Sequence, residues 1–308
     1  VKTAAPTRSA ERSPALAAAL LGLLTAGCFG PRAVAPSEPR ATHGPTVVVR
    51  PSASGDPRST TAVVDAGDLR LSFQAAAAPE LDRIRMILSQ SAGLADMVAQ
   101  FNDTFALPVD IPVVFEVCDE ENAYFDEQTG IVQLCYELVD RYQWIFTDEQ
   151  STAAEVKEET EFAAYFTIFH ELGHALIHLY HLPIVGDEED AADNFAVLFL
   201  IAHGATGQEA ALAAADQFQV DHEDSATQSR DAQDLPYWDE HALDAQRMYG
   251  VLCLVYGSDP TGNGYLVAED NLPAERAEVC VDEYAAKAEA WATLLAEHLK
   301  RAGGLGAR

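Results

Sequence analysis

The sequence predicts an α+β domain, helix-rich, with a small antiparallel sheet and one central apolar helix. Three observations carry that expectation. Residues 162–181 are apolar nearly all round at helical length, as expected of a helix buried in a domain centre. Two short runs rich in β-branched residues, 111–118 and 131–135, read as strands. Several other segments repeat apolar residues at helical spacing.

Taken in order, residues 79–103 carry Leu81, Ile84, Leu88, Leu94, Met97 and Phe101 on one helical stripe, with a break expected near Gly93. Pro112 places the start of the 111–118 strand at a sheet edge, where such a strand could present a groove to an extended peptide. Residues 119–130 are acidic and turn-prone, 131–135 returns as the second strand, and 136–146 is helical. Thr147 or Asp148 is expected to cap an acidic, solvent-facing helix to about residue 160, after which the apolar helix begins. Pro183 stops that helix and Gly186 turns the chain. Residues 187–201 open acidic and become apolar, which suits a helix N-terminus running into a core. Helices are also expected at 205–218, 242–256 and 277–299, with 222–238 as a long polar loop.

The central helix contains His170-Glu171-Leu-Gly-His174, an H-E-x-x-H pattern. Four residues apart, the two imidazoles project from one face toward a common metal ion. Glu171 stands beside them, placed to take a proton from a water that the ion activates. Gly173 leaves room for close backbone approach. A catalytic zinc usually has a third protein ligand and one open position. Glu189 is the candidate, with Asp193 one turn later accepting a hydrogen bond from a ligand imidazole. Glu188, Asp190 and Asp193 itself remain alternatives for the third ligand. His178 is in phase with His174, but Pro183 is close, and it and His181 read as helix-end histidines.

The chain has 308 residues, with 49 acidic against 19 basic and a formal charge of −30. Between residues 108 and 229 the only basic residues are Arg141 and Lys157. Such a surface repels phosphate backbones, which argues against a nucleic-acid partner. A Ca²⁺-binding module is a weaker reading, since no D-x-D-x-D-G loop is present.

Lys2, Arg8 and Arg12 precede an apolar run at 15–27 that is too short for a permanent span. It ends in Leu24-Thr-Ala-Gly-Cys28, which resembles a bacterial lipoprotein signal with Cys28 as the acylated residue. The expectation is a signal at 1–28, a flexible Pro/Ala/Ser-rich tether at 29–65, one domain at 66–302 and a disordered tail at 303–308. The protein would be exported, facing the periplasm or cell surface, and touch a membrane only through that lipid anchor. Four further cysteines fit export. Cys118–Cys135 is the favoured pair, because each closes a strand of what reads as one hairpin; Cys253–Cys280 remains.

His170-Glu-Leu-Gly-His174 followed by Glu189-Asp-Ala-Ala-Asp193 resembles the gluzincin metallopeptidases, with their H-E-x-x-H … E-x-x-x-D pattern. More closely, the chain is similar to a metallopeptidase family of exported bacterial proteins, from about residue 76 to 299. That similarity takes in Cys118, Cys135, Asp239-Glu-His241, Gln246-Arg247, Cys253 and Cys280. The resemblance implies a zincin-like fold, one Zn²⁺, a peptide or protein substrate, and Glu171 as general base and then acid. It also makes Asp239 and His241 candidates for supporting and oxyanion-stabilising roles. The rival is an exported, tethered zinc-binding scaffold, or an inactive peptidase-like interaction module.

Overall fold

The computed structural model describes residues 64–228, 235 and 237–300. The expected signal at 1–28 with Cys28, the tether except its last two residues, and the tail at 303–308 lie outside the described residues.

The fold is helix-rich α+β. Strand β1 (Leu69–Phe73) leads into helices α1 (Pro79–Ser89) and α2 (Ala92–Thr104), then β2 (Ile111–Glu116), β3 (Ala123–Asp126) and β4 (Ile131–Cys135). Helices α3 (Tyr136–Ile145), α4 (Ala153–Tyr180), α5 (Glu188–Ala202), α6 (Ala205–Gln228), α7 (Asp244–Ser258), α8 (Tyr265–Ala268) and α9 (Ala274–Leu295) follow, and a 3-10 turn spans Ala296–His298.

The sheet has the order β1-β2-β4-β3, and it is mixed rather than antiparallel. β1, β2 and β4 run parallel, and only β3 pairs antiparallel, with β4. Parallel neighbours need a long crossover, and α1 with α2 supplies it between β1 and β2. β2 is therefore an interior strand, and the peptide groove expected along it is not available there. Pro112 is tolerated because pairing with β4 begins one residue later, at Val113. The free edges are β1 and β3. β1 and β3 were not expected as strands.

The two disulfides are Cys118–Cys135 and Cys253–Cys280. The first joins the same ends of parallel β2 and β4, not two arms of a hairpin. The second ties α7 to α9. Each closes a loop worth about 3 kcal/mol in the chain-entropy account.

The acidic and apolar segments after residue 152 form one helix, α4, of 28 residues. Its N-cap is Thr152, in a capping box: Thr152 Oγ1 accepts from Glu155 N at 3.3 Å and Glu155 accepts from Thr152 N at 2.9 Å. It ends at His181 in the left-handed conformation, φ 53°, two residues before Pro183. One face of α4 and α5 closes on a buried aromatic cluster of Phe101, Phe105, Phe169, Phe195 and Phe199. A Cβ on Gly173 would lie 2.9 Å from Ala192 Cα, so glycine there lets α5 pack against the H-E-x-x-H turn. No helix among the described residues is long and apolar enough to cross a membrane.

Candidate metal centre

Helix α4 supplies His170, Glu171 and His174, with His170 5 % and Glu171 7 % exposed. The first turn of α5 supplies the carboxylates. Asp187 caps it, accepting from Glu189 N at 3.3 Å, and the positive helix end favours Glu188, Glu189 and Asp190 there. The segment before α7 supplies Asp239 and His241.

These groups converge on Glu189. His170 Nε2 lies 3.1 Å from Glu189 Oε2, His174 Nε2 lies 3.4 Å from Glu189 Oε1, and the two Nε2 atoms are 3.3 Å apart. His241 Nε2 lies 2.9 Å from Glu189 Oε2. The outward nitrogens are held by other carboxylates. His170 Nδ1 is 2.7 Å from Asp193 Oδ1, and His174 Nδ1 is 2.9 Å from Glu188 Oε1. With a metal ion at the centre, each Nδ1–H would donate outward and each Nε2 would present its lone pair inward.

Electrostatics agree with a cation at the centre. Burial lowers the proton affinity of His170, but Asp193 and Glu189 outweigh it and raise its pKa to about 9. His174 is likewise depressed by burial and raised overall by Glu189 and Glu188. Glu189 raises His241 against burial. Burial pushes the Glu189 carboxyl up, yet the three histidines hold it well below the usual range. Glu171 is pushed up by burial, partly offset by His170 and His174. The surroundings that favour a proton on these imidazoles equally favour a metal ion at their Nε2 atoms.

The donor set fits a metal. A tetrahedral ion with ligands at about 2.0–2.1 Å spaces them about 3.3 Å apart; the separations here are close to that, with the two imidazoles meeting different oxygens of the Glu189 carboxylate. Glu189 Oε2 is buried and accepts no hydrogen bond, although two imidazole nitrogens lie within 3.1 Å of it. Atoms gathered around a point, instead of aimed at one another, are arranged as ligands are.

Of the neighbours that could have replaced Glu189, Glu188 and Asp193 sit on the outer nitrogens. Asp190 lines a cavity of about 600 Å³ together with Asp193, Arg247, Arg276 and Lys287. His178 lies apart, its ring 5.7 Å from Phe125. Asp239 accepts from the backbone N of His241 at 3.0 Å and lies 3.3 Å from its Nδ1.

Sequence reasoning assigned no role to Arg247. Its guanidinium grips Asp193 through two hydrogen bonds, 2.8 Å to Oδ2 and 2.7 Å to Oδ1, and lies 4.2 Å over the Phe218 ring. Burial pushes Asp193 up, but Arg247 and then His170 hold it well below the usual carboxylate range. The available signal was charge: a carboxylate buried behind a metal ligand needs a cation, and basic residues are scarce here.

A family model described as "putative metallopeptidase" matches residues 73–295, which includes every residue of this cluster. The chain belongs to that family. Searches of curated proteins and of solved structures gave no match. Membership in a metallopeptidase family implies a metal, and among the described residues His170, Glu189 and His241 form a group whose ligand atoms lie close enough together to hold one. The two disulfides fit an oxidising compartment for this family member.

Proposed function

We propose that the chain is a zinc-dependent peptidase in which His170, His174 and Glu189 hold the ion. The convergence of these three side chains, with separations of 3.3, 3.1 and 3.4 Å, carries the reading. Imidazole and carboxylate donors in tetrahedral spacing suit Zn²⁺. Bound there, Zn²⁺ would supply Lewis acidity toward a peptide carbonyl and make a water acidic near neutral pH. Glu171 accepts the proton of the attacking water and passes it to the leaving amine. Asp193 and Glu188 keep the two ligand imidazoles in the tautomer with Nε2 bare. His241, backed by Asp239, is the donor for the charge that develops on the carbonyl oxygen. An extended peptide pairs with the free edge of β3, whose helix-side neighbour is α4. The substrate is a peptide or protein, and the enzyme works outside the cytoplasm, tethered through Cys28.

The test is metal content and cleavage together. The purified protein carries one zinc, cleaves a peptide library, loses cleavage on chelation and regains it with zinc. Cleavage indifferent to chelation overturns the reading. Glu189→Ala is expected to weaken zinc binding far more than Asp190→Ala, since only Glu189 faces the Nε2 atoms; equal losses by zinc titration would reassign the ligand.

The second reading, a zinc-holding scaffold, has one observation in its favour: His241 also approaches Glu189, and four protein ligands describe a structural site.

A further inference from the structure

We propose that His241 is a fourth protein ligand of this centre, closing it in the resting protein. The inference rests on the zinc reading above and specifies the state in which the site waits.

Three imidazoles are built alike. His170, His174 and His241 each turn Nδ1 to a carboxylate: Asp193 at 2.7 Å, Glu188 at 2.9 Å and Asp239 at 3.3 Å. Each turns Nε2 toward Glu189, at 3.1, 3.4 and 2.9 Å. A carboxylate on one ring nitrogen with the other facing inward is the construction of a metal-ligating histidine. The ligand atoms of His170, Glu189 and His241 lie within 4.8 Å of one another, a group without His174, which meets the other oxygen of Glu189, Oε1, at 3.4 Å.

The three differ in their support. His170 and His174 stand on one buried helix, with side chains 6 % and 14 % exposed, while His241 precedes α7 and is 40 % exposed. His241 is therefore the ligand that can leave. With it in place, four nitrogen and oxygen donors fill a tetrahedral sphere; with it withdrawn, one position opens for chemistry. Its ligand and donor roles then belong to two positions of one side chain, occupied in turn.

The test counts imidazoles on the metal. X-ray absorption at the zinc edge of the full-length protein, with cobalt-substituted visible spectra beside it, is expected to show three in wild type and two in His241→Ala. The zinc dissociation constant should rise at least about 10-fold in that variant. Asp239→Ala, which keeps the imidazole but removes its Nδ1 partner, should retain three imidazoles with a smaller loss of affinity. Circular dichroism checks that both variants fold. Two imidazoles in wild type, unchanged by His241→Ala, overturn this inference and leave the zinc reading intact. Zinc that fails to bind wild type, or binds equally well after His170→Ala, overturns both.

Discussion

Glu171→Gln retains zinc and lowers kcat/KM for peptide hydrolysis by about 10²–10⁴-fold. The two side chains are nearly isosteric, and Glu171 is buried in the middle of α4, so packing around it is preserved. Glu171 is not among the groups gathered around Glu189, so the ligands stay in place. What the amide lacks is the ability to take a proton. A carboxylate in this position is costly to bury, and burial indeed raises its proton affinity. A purely structural helix would carry an apolar residue here at no such cost. The measurement pairs zinc content with turnover of a fluorogenic peptide. Turnover that survives with zinc bound removes Glu171 from the mechanism. Absent turnover in both wild type and variant, with zinc retained in each, selects the scaffold.

The local part of this molecule was legible, and the part that depends on long-range pairing was not. His170, Glu171 and His174 are readable because an i, i+4 spacing on a helix is set by helix geometry alone. The cap is expected at Thr147 or Asp148 but is formed by Thr152 with Glu155, and the change from acidic to apolar composition after residue 160 suggests two helices where there is one. That change marks where α4 passes from solvent into the core, which interrupts no backbone hydrogen bond. Leu69, Leu71 and Phe73 alternate as a strand should, yet five residues beside a Pro- and Ala-rich segment gave no reason to expect β1. β3 is four residues long inside an acidic stretch. Whether β2 and β4 run parallel depends on where β3 goes between them, and no local pattern encodes it. The expected pairing of Cys118 with Cys135 is correct although the hairpin behind it does not exist: an antiparallel pair would hold these two strand ends apart, and the parallel register of β2 on β4, with Glu116 opposite Cys135, brings them together. The expected loop from residue 222 is helical as far as Gln228, since α6 continues with a polar face. At the site, the outer carboxylates separate from the inner one only in three dimensions: Glu188, Glu189, Asp190 and Asp193 share one acidic turn, and the position of α4 decides which faces which nitrogen.

Arg247→Gln is expected to cost about 3–5 kcal/mol of stability and to weaken zinc binding about 10–100-fold, although Arg247 touches no ligand directly. The chain of contacts runs from Arg247 to Asp193 and from Asp193 Oδ1 to His170 Nδ1. Both members of the ion pair are largely buried, with side chains 15 % and 13 % exposed, so removing the cation leaves a charge with little water to replace it. Asp193 then takes up a proton more readily, stops holding the Nδ1–H of His170, and frees that ring to turn its Nε2 away. Arg247→Lys keeps the charge but not the two-pronged grip or the planar contact with Phe218, and should fall between wild type and Arg247→Gln. The pH dependence separates this from a packing defect. Asp193 has a depressed pKa in the folded protein, so its contribution to stability is complete above the unfolded carboxylate value of about 3.9 and is lost as the pH falls through the folded value. The stability gap between wild type and Arg247→Gln is therefore full at neutral pH and closes in acid. Denaturant midpoints of the metal-free proteins across that range measure it; a gap that stays constant with pH would mean that Arg247 contributes only its packing against Phe218.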